Sequence, residues 1–568
     1  MRLFNFTVND CKNCYKCIRV CPVKALRFRG NKAEIDEDRC IACGQCFVVC
    51  PKNARNVEND IEKVINAIKE GIRVVACLDS SYLGVFDEPG RFVAALKKLG
   101  FSSVQENAVG AEILKEKYKN YIIDNAETKK YIISSTCPTV YLFIQKYHPE
   151  LIQYLIPIVS PMLAIGKAIK KEDRDCFTVY IGPCLGRKYE ISSAEDHPID
   201  AHITFPEIIK MLKWNFIDYE NIDPELPDRR PERTGRNYSI SGDMWKDMTR
   251  LIRENGYDAL SIYGLDHVKN LFTSMEEGTL EKSYVGISAC HESCLNGPFI
   301  PQHSKDIYCR RQKLKKYAAN LEGGINDNIN WDELDLSCSF KDDSIDRLKA
   351  NEEEIATILS AMGKHKRSDE LNCGACGYNT CREKSQAVFE GMAEIEMCMP
   401  YMRERAEKMT DTIFLNSRNM IFVTDEKLNI KRFNPAAEKA FQISHEFSYG
   451  KPISIILDDD DFVNVIETGK DVLNKKVKLN PYGIIALETV VYLEKEKEVI
   501  ITMQDITEDE KRRQELDDLR MKTVDIAQNV IDKQMRVAHE IASLLGETTA
   551  ETKIALNKLK DVVMEEGE

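Results

Sequence analysis

The 568-residue chain has no excess of basic charge: 79 Lys and Arg stand against 92 Asp and Glu, a formal net charge of −13. That balance argues against a nucleic-acid partner and against an anionic membrane surface. No apolar run approaches the ~20 residues that cross a bilayer, so no membrane span is expected. The start, MRLFNFTVNDCKNC, lacks the basic segment and following apolar segment of a secretion signal. A cytoplasmic location is therefore expected.

What the chain does hold is cysteine, 20 of them. Without a secretion signal, that many thiols read as metal ligands and not as disulfides. Sixteen fall into short ordered motifs, and Cys77, Cys176, Cys309 and Cys338 stand alone, where buried structural thiols are the expectation. The remaining composition, 43% hydrophobic and 30% charged, is that of globular protein. The length suggests about three to five domains.

Residues 11–22 read CKNCYKCIRVCP and residues 40–51 read CIACGQCFVVCP. Both follow C-x2-C-x2-C-x3-C-P, an internal repeat. Zinc ligands come as CxxC pairs, so zinc is the weaker reading. The repeat resembles a two-cluster bacterial ferredoxin, in which each fourth Cys crosses to the other cluster. That resemblance implies one [4Fe–4S] cluster on Cys11, Cys14, Cys17 and Cys50. It implies a second on Cys40, Cys43, Cys46 and Cys21. Backbone amides are expected to point at the sulfurs, with the proline ending each local helix.

From about 58 to 365, apolar strand-like runs alternate with helical stretches, which suggests α/β with a parallel sheet. Examples are IRVVACL (72–78), KYIISS (130–135) and FTVYIG (177–182). Ligands of such sheets sit beyond the carboxyl ends of the strands. Two of those ends carry Cys beside Pro, in SSTCP (134–138) and IGPCLGRK (181–188). A third segment, ISACHESCLNG (287–297), holds Cys290 and Cys294 four apart, a spacing that shares one face if helical. Cys137, Cys184, Cys290 and Cys294 together would complete one four-thiolate site.

These three segments resemble the signature motifs of [FeFe]-hydrogenase large subunits, which run roughly TSCCP, MPCxxK and ExMxCxxGC. The resemblance implies a [4Fe–4S] cluster on the four cysteines. It also implies a two-iron unit carrying CO and cyanide, bridged by Cys294. The chain departs from the family at several positions. Thr136 stands where the family has a proton-carrying cysteine; an alkyl hydroxyl exchanges protons poorly near neutral pH. Gly182, before Pro183, and Ser288 replace methionines beside the cofactor, and these three line its expected surroundings. Arg187, followed by Lys188, replaces a lysine; it keeps a charge but adds a rigid fork of donors. The family's glycine-rich stretch corresponds to SGD at 241–243. This set resembles the sensory branch of the family. Hydrogenase-like proteins of iron–sulfur assembly, with four cysteines and no two-iron unit, are the alternative.

Residues 372–381 read NCGACGYNTC, and Cys398 follows. Cys373, Cys376, Cys381 and Cys398 resemble a small four-cysteine [4Fe–4S] domain, with a zinc knuckle as the alternative. The stretch REKSQAVFEGMAEIEM is expected as a helix leading to the last ligand. Beyond about 405, NMIFVTDEKLNIKRFNPAAEKAFQIS (419–444) reads strand, turn, strand, helix, and resembles a PAS domain ending at DIT (505–507). It has neither a haem-binding Cys–His pair nor the flavin motif GxNCRFLQ. A ligand-free dimerisation module is thus as good a reading as a sensor. Leu516, Leu519, Thr523, Ile526, Val530, Val537, Ile541 and Leu544 then recur at 3–4 spacing, which predicts a coiled coil. Gly546 should stop it, and Thr548 with Glu551 should cap a second helix. His539–Glu540 resembles a kinase phosphoacceptor box, but no ATP-binding domain follows, so a solvated pair is the expectation.

The expected fold is multidomain α/β. Its parts are a two-cluster ferredoxin (1–57), a hydrogenase-like α/β domain (58–365), a four-cysteine domain (366–405), an α+β PAS domain (406–507) and a helical hairpin (508–568). The expected function is a low-turnover sensory [FeFe]-hydrogenase responding to H2 or another small redox signal. Its expected partners are an electron-transfer protein, a signalling enzyme in trans and a second copy of the chain. A turnover hydrogenase and an iron–sulfur scaffold are the alternatives.

Overall fold

The computed structural model describes residues 4–6, 11–30, 32–194, 196–231, 235–240, 248–301, 304–320, 333–545 and 550–565. The chain divides into two compact units, Met1–Tyr401 and Met402–Glu568.

In the first unit the α/β segment forms two parallel sheets, where the sequence suggested one. The four-stranded sheet runs Ser103–Glu106, Val74–Leu78, Phe177–Ile181, Ala201–Ile203. The three-stranded sheet runs Asp258–Tyr263, Ser283–Ser288, Tyr131–Ile133. Central strands covered on both faces read as continuous apolar runs, and every residue of Val74–Leu78 is buried. Two sheets mean two sets of carboxyl strand ends, and both sets border one cavity.

The two ferredoxin repeats each form a loop and a short helix, Lys16–Val20 and Gln45–Val48. Asn13, Tyr15, Ala42 and Gly44 adopt positive φ, which curls each cysteine loop tightly. Residues 369–400 pack directly on this module. Gly377 lies so close to Ile18 that an added Cβ would stand 2.8 Å from the isoleucine Cβ. Lys24 Nζ donates to the Gly377 carbonyl at 2.9 Å, and Arg19 Nη2 to that of Ala375 at 3.3 Å.

The second unit holds a five-stranded antiparallel sheet ordered Ile430–Phe433, Met420–Asp425, Glu498–Asp505, Ile484–Leu493, Val472–Leu479. Phe422, Phe441, Phe462, Val490 and Ile501 fill its core. A helix over Thr507–Leu545 follows, then a second over Ala550–Glu565. The stop at Gly546 and the cap at Thr548 lie outside the described residues. Leu516, Leu519, Ile526, Val530, Val537 and Ile541 are exposed, as is His539. No helix among the described residues is long and apolar enough to cross a membrane.

Three local expectations are corrected. Cys290 and Cys294 share no helix face. Glu292 and Ser293 both take φ of 60°, and a short 3-10 helix, Ser293–Asn296, follows. The helix from Cys381 ends at Phe389, and Gly391 at positive φ turns the chain before Cys398. Cys309 is exposed, unlike the buried Cys77 and Cys176 and the half-buried Cys338.

Candidate iron–sulfur centres

The carboxyl ends of both sheets converge on one cavity. Cys137 follows the strand Tyr131–Ile133 and begins the helix Pro138–Tyr147. Cys184 follows Phe177–Ile181 and begins Leu185–Ser193. Cys290 follows Ser283–Ser288 by one turn, and Cys294 lies in the next. All four line a cavity of about 840 Å³, mouth included, together with Thr136, Pro183, Arg187 and Ser288. The sequence-predicted residues are thus brought together, except Gly182, which stands behind the wall. SGD at 241–243 lies outside the described residues.

Burial pushes the Cys184 thiol up to about 12 and raises Cys290 and Cys294 strongly, with the neighbouring thiols adding to the effect. Four half-buried thiols facing one space suit a soft metal group, whose positive charge favours the thiolate form.

The other groups in the wall are hydroxyls and one cation. Thr136 Oγ1 lies 3.0 Å from Ser134 Oγ, and Ser288 Oγ lies 3.2 Å from Ser293 Oγ. Arg187 is 4% exposed. Its Nη1 donates to Glu190 at 2.6 Å and its Nη2 donates to the Thr136 carbonyl at 2.8 Å. Lys188 turns away and donates to Asp60 at 3.1 Å, so Arg187 is the cation of the wall.

Two more cysteine quartets enclose smaller cavities. Cys21, Cys40, Cys43 and Cys46 line one of about 380 Å³, the crossed set expected of the second ferredoxin cluster. Backbone N–H groups of Ala25 and Ala42 donate to Cys21 Sγ at 3.3 Å and Cys40 Sγ at 3.4 Å. Cys373, Cys376, Cys381 and Cys398 line the other, of about 370 Å³. Lys364 and Lys384, both buried, share its wall. Cys11, Cys14 and Cys17 sit in and after the first ferredoxin loop, and the Ala54 N–H donates to Cys50 Sγ at 3.4 Å.

These sites adjoin in a fixed order. Cys43 belongs to the walls of both the central cavity and the second ferredoxin cavity. Arg55 hydrogen-bonds both Cys46 and Cys17, joining the second ferredoxin set to the first. Burial raises the pKa of Tyr15, with Glu394, Cys11 and Cys376 adding to it, so the residue lies between the first ferredoxin set and the 373–398 set. Sequence reasoning missed Arg55, Tyr15 and Asp79. The last is a lone acid directly after a fully apolar strand, a placement that could have flagged it.

Comparison with known proteins agrees with this geometry. Residues 72–298 match the iron-only hydrogenase large subunit, C-terminal domain. Residues 10–54 match the 4Fe-4S dicluster domain, 369–400 an Fe-S cluster family, and 408–506 the PAS fold. Iron hydrogenase 1 of Clostridium pasteurianum is 25% identical over 320 residues, which cover 48% of this chain and 55% of that protein. The cytosolic Fe-S cluster assembly factor NAR1 of Kluyveromyces lactis is 33% identical over 91 residues, 16% of this chain and 19% of that protein. The chain spans about half the length of the curated hydrogenases it matches. Among solved structures, the apo [FeFe]-hydrogenase HydA1 of Chlamydomonas reinhardtii aligns over 51% of this chain and 100% of its own, at 15% identity and a TM-score of 0.41. The chain is an [FeFe]-hydrogenase-like iron–sulfur protein that also carries a PAS domain.

Proposed function

We propose that this protein is a sensory [FeFe]-hydrogenase. It detects H2, or another small redox signal, with slow turnover and passes redox state to its PAS domain. Four [4Fe–4S] clusters suit the four cysteine sets. Cys137, Cys184, Cys290 and Cys294 would hold the central one, and Cys294 would also ligate a two-iron unit with CO and cyanide ligands. When bound, that unit supplies H2 binding and heterolytic cleavage.

One observation carries the reading. The central cavity, at about 840 Å³ with its mouth, has more than twice the space of the two other four-cysteine cavities, at about 370 and 380 Å³ with theirs. A cavity shaped for a single cluster needs no such excess.

The chain's own residues argue for slow turnover. Thr136 offers a hydroxyl where proton exchange calls for a group titrating near neutral pH, and such a positioned group contributes about 10²–10⁴-fold. Arg187 supplies a fixed charge, but two of its donors already serve Glu190 and the Thr136 carbonyl. The linked cysteine sets supply a path from the cavity to Cys398, directly before the helix Met399–Asn416. Output through a second copy of the chain is supported by the exposed apolar positions of Thr507–Leu545, with a signalling enzyme supplied in trans.

The infrared spectrum of the matured protein tests this reading. CO and cyanide stretching bands are expected. Their absence from protein that carries its full cluster iron would overturn it in favour of a scaffold without a two-iron unit, the reading that the likeness to NAR1 favours.

A further inference from the structure

Behind the central cavity lies a buried carboxylate. Asp79 follows the strand Val74–Leu78 and is 1% exposed. It accepts five hydrogen bonds, the longest from the Ser239 hydroxyl to Oδ1 at 3.5 Å. The Ser81 N–H donates to Oδ1 at 2.9 Å and the Ser81 hydroxyl at 2.6 Å. Tyr180 Oη donates to Oδ2 at 2.7 Å, and Tyr238 Oη donates to the same oxygen. Five donors on its two oxygens hold the carboxylate in place.

Among the described residues no ion pair matches its charge. Arg187 is paired with Glu190 at 2.6 Å, and the buried Arg236 with Glu106 at 2.8 Å. Tyr238 lines the cavity and packs on Cys294. It is held there from both sides, since Asn107 donates to its oxygen at 2.7 Å while it donates to Asp79.

The same group accounts for Gly182. A Cβ there would lie 2.8 Å from Tyr180 Oη and 2.9 Å from Asp79 Cβ. The room beside this position is filled by the carboxylate and its tyrosine.

We infer that Asp79 is a positioning residue of the central site: a buried carboxylate that fixes Tyr238 against Cys294 and makes the central cluster harder to reduce. A fixed anion in a poorly solvated wall opposes the arrival of an electron. The inference rests on the proposed presence of a [4Fe–4S] cluster at this site, but not on the two-iron unit.

It is tested by an EPR-monitored redox titration of the full chain, produced without two-iron maturation. The central cluster is the signal that disappears in Cys184→Ala. Asp79→Asn should shift its reduction equilibrium at least tenfold towards the reduced form, 59 mV for one electron. The other three clusters should not move. Asp79→Ser, whose smaller hydroxyl fits the same space, should shift it in the same direction. An unmoved central midpoint in either variant, or an equal shift of all four clusters, overturns the inference. If Cys184→Ala removes neither a signal nor iron, the cluster reading itself falls and takes the inference with it.

Discussion

The central quartet of cysteines and the quartet at 373–398 each present four thiols, yet they are built in opposite ways. The central four come from three segments that meet only when two parallel sheets align their carboxyl ends. The second four come from a stretch of 26 residues, 373 to 398, closed by one short helix. The central wall carries hydroxyls and Arg187, with a carboxylate behind it. The other wall carries Lys364 and Lys384. The lesson is that four thiols specify an iron–sulfur site. The volume beside them and the charges placed around them set the two sites apart.

The comparison can be broken most directly by removing one ligand from each site. Cys184→Ala should abolish H2-dependent activity and lower the bound iron of the matured protein by about six atoms per chain, about four from the cluster and about two from the two-iron unit. Cys376→Ala should lose about four yet leave the infrared bands of the matured centre in place. Iron assay and infrared spectroscopy on the two variants decide whether the sites are independent.

A smaller effect is expected from restoring a thiol to the central wall. Thr136→Cys should raise H2 oxidation by about 10²–10⁴-fold, read with an artificial electron acceptor. Unchanged turnover would mean that the Thr136–Ser134 and Ser288–Ser293 hydroxyls already handle protons well enough. At the opposite pole, Lys384→Met should make the 373–398 cluster harder to reduce by about tenfold, ~59 mV for one electron. A potentiometric titration checks this, and the central midpoint serves as the internal control. The smallest effect is expected behind the wall. Gly182→Ala should destabilise the first unit by about 1–3 kcal/mol through overpacking against Tyr180, measured by denaturant unfolding of the full chain.

Legibility followed the distance between partners. The crossed set Cys21, Cys40, Cys43 and Cys46 was implied by the ferredoxin resemblance, which the repeated motif carries twice. The PAS sheet was legible because its strands alternate buried and half-buried positions, as Met420–Asp425 does. The turn at Cys290–Cys294 was not legible. A four-residue spacing fits a helix as well as a loop, and nothing in the sequence announces positive φ at Glu292 and Ser293. Two sheets in place of one could not be foreseen either, since apolar runs report burial and not strand neighbours. Arg187 was found through its offset from Cys184, but its partner Glu190 and the hub at Asp79 depend on contacts across 3 to 159 residues.

Gly182 carries a consequence for the history open to this chain. A side chain at that position collides with Tyr180 and Asp79. A methionine-lined wall is therefore not reached by changing Gly182 alone. The tyrosine or the carboxylate must give way first, and the carboxylate is what holds Tyr238. The order of substitutions open to this chain is constrained.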